Sequence, residues 1–147
     1  MPVIGFSLSS VKGERKDVQN LQKLNVNSTP AIVSIEERPI PFMEGQSSLV
    51  MGFEFNTIYE PDIGSIKMSG EVIYSSKDTK KILKEWNKEK KLSIETDAEV
   101  KNYLFRKCLT LSLNISEQLQ LPAPIGFPVI VPQLENKEPE KKTSYIG

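Results

Sequence analysis

The chain holds 147 residues, with 19 basic and 19 acidic side chains, a formal net charge of zero, one cysteine and no histidine. Without histidine there is no His-based triad, imidazole base or imidazole metal ligand, and one cysteine excludes an internal disulfide or a thiolate cluster. Balanced charge gives no broad basic field for nucleic acid, no apolar run approaches the ~18 residues of a membrane span, and Met1-Pro-Val-Ile-Gly-Phe6 lacks the basic and apolar regions of a secretory signal. A cytoplasmic protein without membrane insertion, metal or cofactor is therefore expected. Its length suits one domain that buries roughly 68–70% of its unfolded surface.

Ile4, Phe6 and Leu8 alternate with small residues, the period-2 pattern of a half-buried strand. Val18, Leu21 and Leu24 are spaced by three, which allows a short helix. Leu24 with Val26, and Ala31 with Val33 and Ile35, alternate instead, so residues 24–37 read as extended. Pro30 cannot donate to a sheet ladder and predicts an edge, a bulge or an interruption. Residues 38–47 are a connection held extended by Pro39 and Pro41. They carry Ile40, Phe42 and Met43, apolar surface that must pack back or face a partner.

Leu49, Met51, Phe53 and Phe55 occupy alternate positions, and Thr57 and Tyr59 continue the phase. Glu60-Pro-Asp-Ile-Gly64 supplies turn chemistry, after which Ile66, Met68, Gly70, Val72 and Tyr74 alternate again. The pair reads as an antiparallel hairpin. Its other face carries Glu54, Asn56, Lys67, Ser69 and Glu71, so helices must cover only the apolar one.

A short helix follows, capped by Ser76 or Asp78 and running to about Lys90, with Ile82, Leu83 and Trp86 on one face. Thr96-Asp-Ala-Glu99 matches a capping box opening a long helix to about Gln120. Val100, Leu104, Cys108, Leu111, Ile115 and Leu119 form one apolar stripe. Phe105, Leu109 and Leu113 form a second, which predicts an interface with another subunit. The segment 121–132 has four prolines, which stop the helix, yet is too apolar for a free linker. Residues 133–147 read as a charged mobile tail, leaving 1–132 as a single α+β domain.

Little of this chemistry points to catalysis. Glu54 and Glu71 are the carboxylates most able to meet, across the hairpin, although both belong to its wet face. Cys108 lies on an apolar stripe with no base to activate it. The basic run at 88–91 reads as a solvated face, and no phosphate-binding glycine motif is present.

The hairpin residues Gly64-Ser-Ile-Lys-Met-Ser-Gly-Glu-Val-Ile-Tyr74, the helix Asn102-Tyr-Leu-Phe-Arg-Lys-Cys-Leu-Thr110 and the segment Gln118-Leu-Gln-Leu-Pro-Ala-Pro-Ile-Gly-Phe127 resemble the SecB-type export chaperones and their SecB-like relatives. The resemblance implies a four-stranded antiparallel sheet followed by one short and one long helix on one side, assembled as a homodimer or homotetramer. It implies non-enzymatic holding of unfolded polypeptides, serving export or an antitoxin, with Phe42, Met43, Trp86 and Phe127 as client-binding positions. Neutral charge departs from the acidic character that the family uses to dock the translocation motor. A small adaptor for one folded partner is the alternative. A hot-dog-like thioester enzyme fits less well, because its central helix comes early in the chain.

Overall fold

The computed structural model describes residues 3–17, 24–39, 47–126 and 128–132. Four strands come first: β1 (Val3–Arg15), β2 (Asn25–Pro39), β3 (Ser47–Glu60) and β4 (Gly64–Tyr74). The helices α1 (Thr79–Glu89) and α2 (Ile94–Gln118) follow. The strands make one antiparallel sheet in the order β1-β4-β3-β2, with the helices on one face. This is the α+β arrangement that the alternation and the helix periodicity predict.

The β3–β4 hairpin is the centre of the sheet, in unbroken register from Leu49 opposite Tyr74 to Tyr59 opposite Gly64. Phe53, Phe55 and Tyr59 of β3 and Ile66, Met68 and Val72 of β4 are all 1% exposed or less. At about 1.5–3 kcal/mol per large apolar side chain, this shared face is the main source of stability. Glu54 and Lys67 point to the wet face and are exposed.

Three details of the flanking strands differ from simple alternation. The pattern places Ile4 with Phe6 and Leu8, but a register shift between Val3 and Gly5 turns Ile4 out to 54% exposure. The same happens in β2, where a shift between Ile32 and Ser34 leaves Val33 51% exposed while Ile35 is buried. Each shift adds a residue that has no partner, so parity changes across it. Thirdly, β2 is not interrupted at Pro30. The strand runs through it, because Pro30 lies on an edge strand, where proline is tolerated.

Close approach is needed where β1 crosses Gly70. A Cβ there would run into the Ser7 carbonyl and sit 2.9 Å from the Leu8 Cα.

The helix boundaries also sharpen. Asp78 occupies the N-cap of α1 without a side-chain cap; instead its own N–H donates to Ser76 Oγ at 3.2 Å. The predicted box at Thr96 and Glu99 is displaced by one turn. Ser93 is the N-cap of α2, its Oγ accepting from the Thr96 N–H at 3.3 Å. Serine in extended conformation just before the first turn satisfies an orphan donor there. The buried stripe also drifts. Val100, Leu104 and Cys108 continue as Ser112 and Ser116 at strict i+4 spacing, while Leu111 turns to 36% exposure.

The C-terminal end of α2 closes by a Schellman motif rather than by proline alone. The Leu121 N–H donates to the Ser116 carbonyl at 2.8 Å and the Gln120 N–H to the Glu117 carbonyl at 3.2 Å. Gln120 takes the left-handed conformation, φ 56°. The chain then turns back, and Leu121 is buried against the sheet.

Candidate functional site

β2 is a 15-residue edge strand, and the junction of the two helices lies beside it. Trp86 in the third turn of α1 is 8% exposed and packs with the core. One turn later α1 ends at Lys90, which adopts a left-handed conformation (φ 55°) and donates its N–H to the Trp86 carbonyl at 2.8 Å. That reversal carries Lys91 and Leu92 back toward the sheet before Ser93 opens α2.

The result is a recess of about 380 Å³. Pro30, Ala31 and Ile32 of β2 form its strand side. Trp86 and Leu92 give an apolar floor, and Lys90, Lys91 and Lys101 stand with Asp97 at its rim. The Lys90 ammonium lies 5.8 Å from the Trp86 ring centroid, within cation–π range. Lys101 and Asp97 pair at 3.0 Å across one helical turn. An extended polypeptide can use both features of this place: a strand edge for backbone hydrogen bonds and an apolar pocket for a side chain.

Trp86 is thus placed in the recess. Phe42, Met43 and Phe127, the other predicted client-binding residues, lie outside the described residues, as do 18–23 and 133–147. The predicted interface residues sit on one flank of α2, and all three are half-buried. Phe105 meets Phe55 edge-on at 5.6 Å, and Leu109 also packs against the core. Part of the apolar surplus of α2 is therefore used against its own sheet. Leu113 borders a second recess of about 470 Å³ with Thr110, Asn114 and Leu121.

The candidate chemistry does not assemble. Glu54 faces Ser69 and Glu71 faces Gly52 across β3 and β4, and Glu71 accepts from Arg38 Nη1 at 3.3 Å. The two carboxylates therefore do not make a paired site. Cys108 is fully buried, and burial pushes its thiol up to about 11, away from thiolate reactivity. Among the described residues no group of three or more potential ligands could hold a metal ion, and no helix is long and apolar enough to cross a membrane.

Sequence reasoning missed Pro30, Ile32, Lys91 and Lys101 as neighbours of Trp86. The prediction of an edge at Pro30 was the one signal in that direction. Which helix end lies against that edge is a tertiary property.

No family model matches the chain, and no curated protein matches it either. A search of solved structures finds the SecB-like chaperone Rv1957 of Mycobacterium tuberculosis, in complex with a ChAD peptide from the Rv1956 HigA1 antitoxin. The TM-score is 0.51 and the identity 11%, over 90% of this chain and 91% of that one. The protein therefore has a SecB-like fold.

Proposed function

We propose that this protein binds unfolded or partly folded polypeptides without catalysing a reaction, as a SecB-like holdase. The observation that carries this reading is the Trp86 recess beside the open β2 edge, on a fold shared with a chaperone solved with a bound peptide. An extended client adds backbone hydrogen bonds along β2 and buries apolar side chains over Trp86 and Leu92. At about 25 cal/mol per Å² of apolar area, this gives affinity with little demand on sequence. The same client-binding role is proposed for Phe42, Met43 and Phe127.

Phe105, Leu109 and Leu113 belong to the contact that builds a homodimer or homotetramer, and the protein works in the cytoplasm. A second reading is supported by the structural neighbour, whose peptide comes from one particular antitoxin. On that reading the same groove serves a single partner.

Light scattering of an aggregating client separates the two readings. Suppression near one protein per client, for several unrelated clients, supports a holdase. No suppression, with one tight partner recovered, supports the dedicated adaptor. Scattering mass of the protein alone tests the assembly, and a monomer at working concentration rejects the interface.

A further inference from the structure

The neutral total hides a local imbalance beside the groove. Residues 77–91 contain seven lysines against Asp78, Glu85 and Glu89, a net of +4 that the rest of the chain cancels. At the recess itself, Asp97 is paired with Lys101 at 3.0 Å. Among the described residues no carboxylate stands within 4.0 Å of Lys90 or Lys91. Two ammonium groups with no carboxylate partner among the described residues therefore stand at the rim of an apolar pocket, and the left-handed turn at Lys90 fixes the backbone that carries both.

We infer that the Trp86 groove selects acidic extended segments: an apolar side chain seated over Trp86 and Leu92, with aspartate or glutamate beside it reaching Lys90 and Lys91. This rests on the polypeptide-binding reading above and adds the charge class of the client. The floor and the strand edge favour a peptide over nucleic acid. Pro30, Ile32, Trp86 and Leu92 offer apolar contact and β2 offers a strand edge, neither of which a phosphate chain uses. Exposed charge pairs are individually weak and screened by salt, so the effect is a preference and not an absolute requirement.

The test uses the full chain and three dye-labelled ten-residue peptides. They share one apolar centre and carry acidic, neutral or basic flanks, and binding is followed by anisotropy and by the fluorescence of Trp86, the single tryptophan. Two exposed pairs of ordinary strength predict that the acidic peptide binds about fivefold tighter than the neutral one at low salt, and the basic peptide weakest. The advantage shrinks to less than about twofold at 0.5 M salt. The double variant Lys90→Asn/Lys91→Glu keeps a residue that tolerates the left-handed conformation at 90 and abolishes the acidic preference, read as the ratio of acidic-peptide to neutral-peptide affinity.

Equal affinity for acidic and neutral peptides overturns the inference and leaves the groove reading intact. An acidic preference that survives in the variant also overturns it. Binding of none of the three rejects the groove reading itself. An oligouridylate of equal charge that binds more tightly than the acidic peptide assigns the lysines to nucleic acid and overturns the inference.

Discussion

The Tyr59 hydroxyl donates to the Pro122 carbonyl at 2.6 Å. This one bond ties a fully buried residue of a central strand to the segment that leaves the long helix. With the Schellman turn at Gln120 and buried Leu121, it fixes where residues 121–126 and 128–132 begin. Beyond it the chain exposes Val129 at 80%, Ile130 at 96% and Val131 at 73%.

Tyr59→Phe keeps the ring and removes the bond. Folding stability falls by about 1 kcal/mol, the usual net value of one hydrogen bond. Hydrogen exchange at the Leu121 amide quickens by more than the global change, because that amide closes the same turn. An unchanged Leu121 exchange rate contradicts the tether.

Ser93→Ala removes the cap of α2 and costs about 1 kcal/mol in a denaturant titration. Glu99→Gln leaves that cap intact, since Ser93 and not Thr96 performs the capping. A stability unchanged by Ser93→Ala contradicts the cap at Ser93.

Gly70→Ala pushes a methyl group against the Ser7 carbonyl of β1. Overpacking of this kind costs about 1–3 kcal/mol, and backbone cannot yield as a flexible side chain does. The variant loosens β1, seen as selective loss of exchange protection at Phe6 and Leu8 with β2 unaffected. Uniform loss across all four strands contradicts a local clash.

Cys108 gives a pH dependence with a defined sign. Its folded-state pKa of about 11 is above the ordinary 9.0, so its contribution is complete below pH 9 and is lost as pH rises from 9 to 11. At about 1.4 kcal/mol per unit, the loss is on the order of 2 kcal/mol. Burial also raises Tyr59 and Tyr74, Tyr74 with the Glu99 charge as a further cause, so both push the same way above pH 10. Cys108→Ala has a flatter stability profile between pH 9 and 10, and in the native protein the thiol resists aromatic disulfide reagents. A slope unchanged by the substitution assigns the loss elsewhere.

The centre of the fold was legible because Leu49 through Tyr74 obey one physical rule. Alternate residues share a face, and the register of β3 against β4 is unbroken, although Val50, in phase with Glu54, is buried as well. The edge strands were less legible. The shifts at Val3/Gly5 and Ile32/Ser34 carry no local signature, since Ile4 and Val33 look like any inward β-branched residue until the strand pairing is known. The cap of α2 was misplaced by one turn because Ser93 and Thr96 both suit the position, and packing of Leu92 against the core decides between them. The groove was half legible. Trp86 enters as a client-binding position only through the family resemblance, and an edge is one of three readings of Pro30, but only the left-handed turn at Lys90 brings Lys91 and Leu92 to them.

The central claim is that an unfolded chain lies in the groove between β2 and the junction of the two helices. Hydrogen exchange of the protein with and without a permanently unfolded, reduced and alkylated client tests it most directly. The account predicts slowed exchange in β2 around Ala31 and Ile32 and at 90–92, with a shift in Trp86 fluorescence and no change in the middle of β4. Protection confined to β1 or to the outer face of the sheet, or no protection at saturating client, contradicts it.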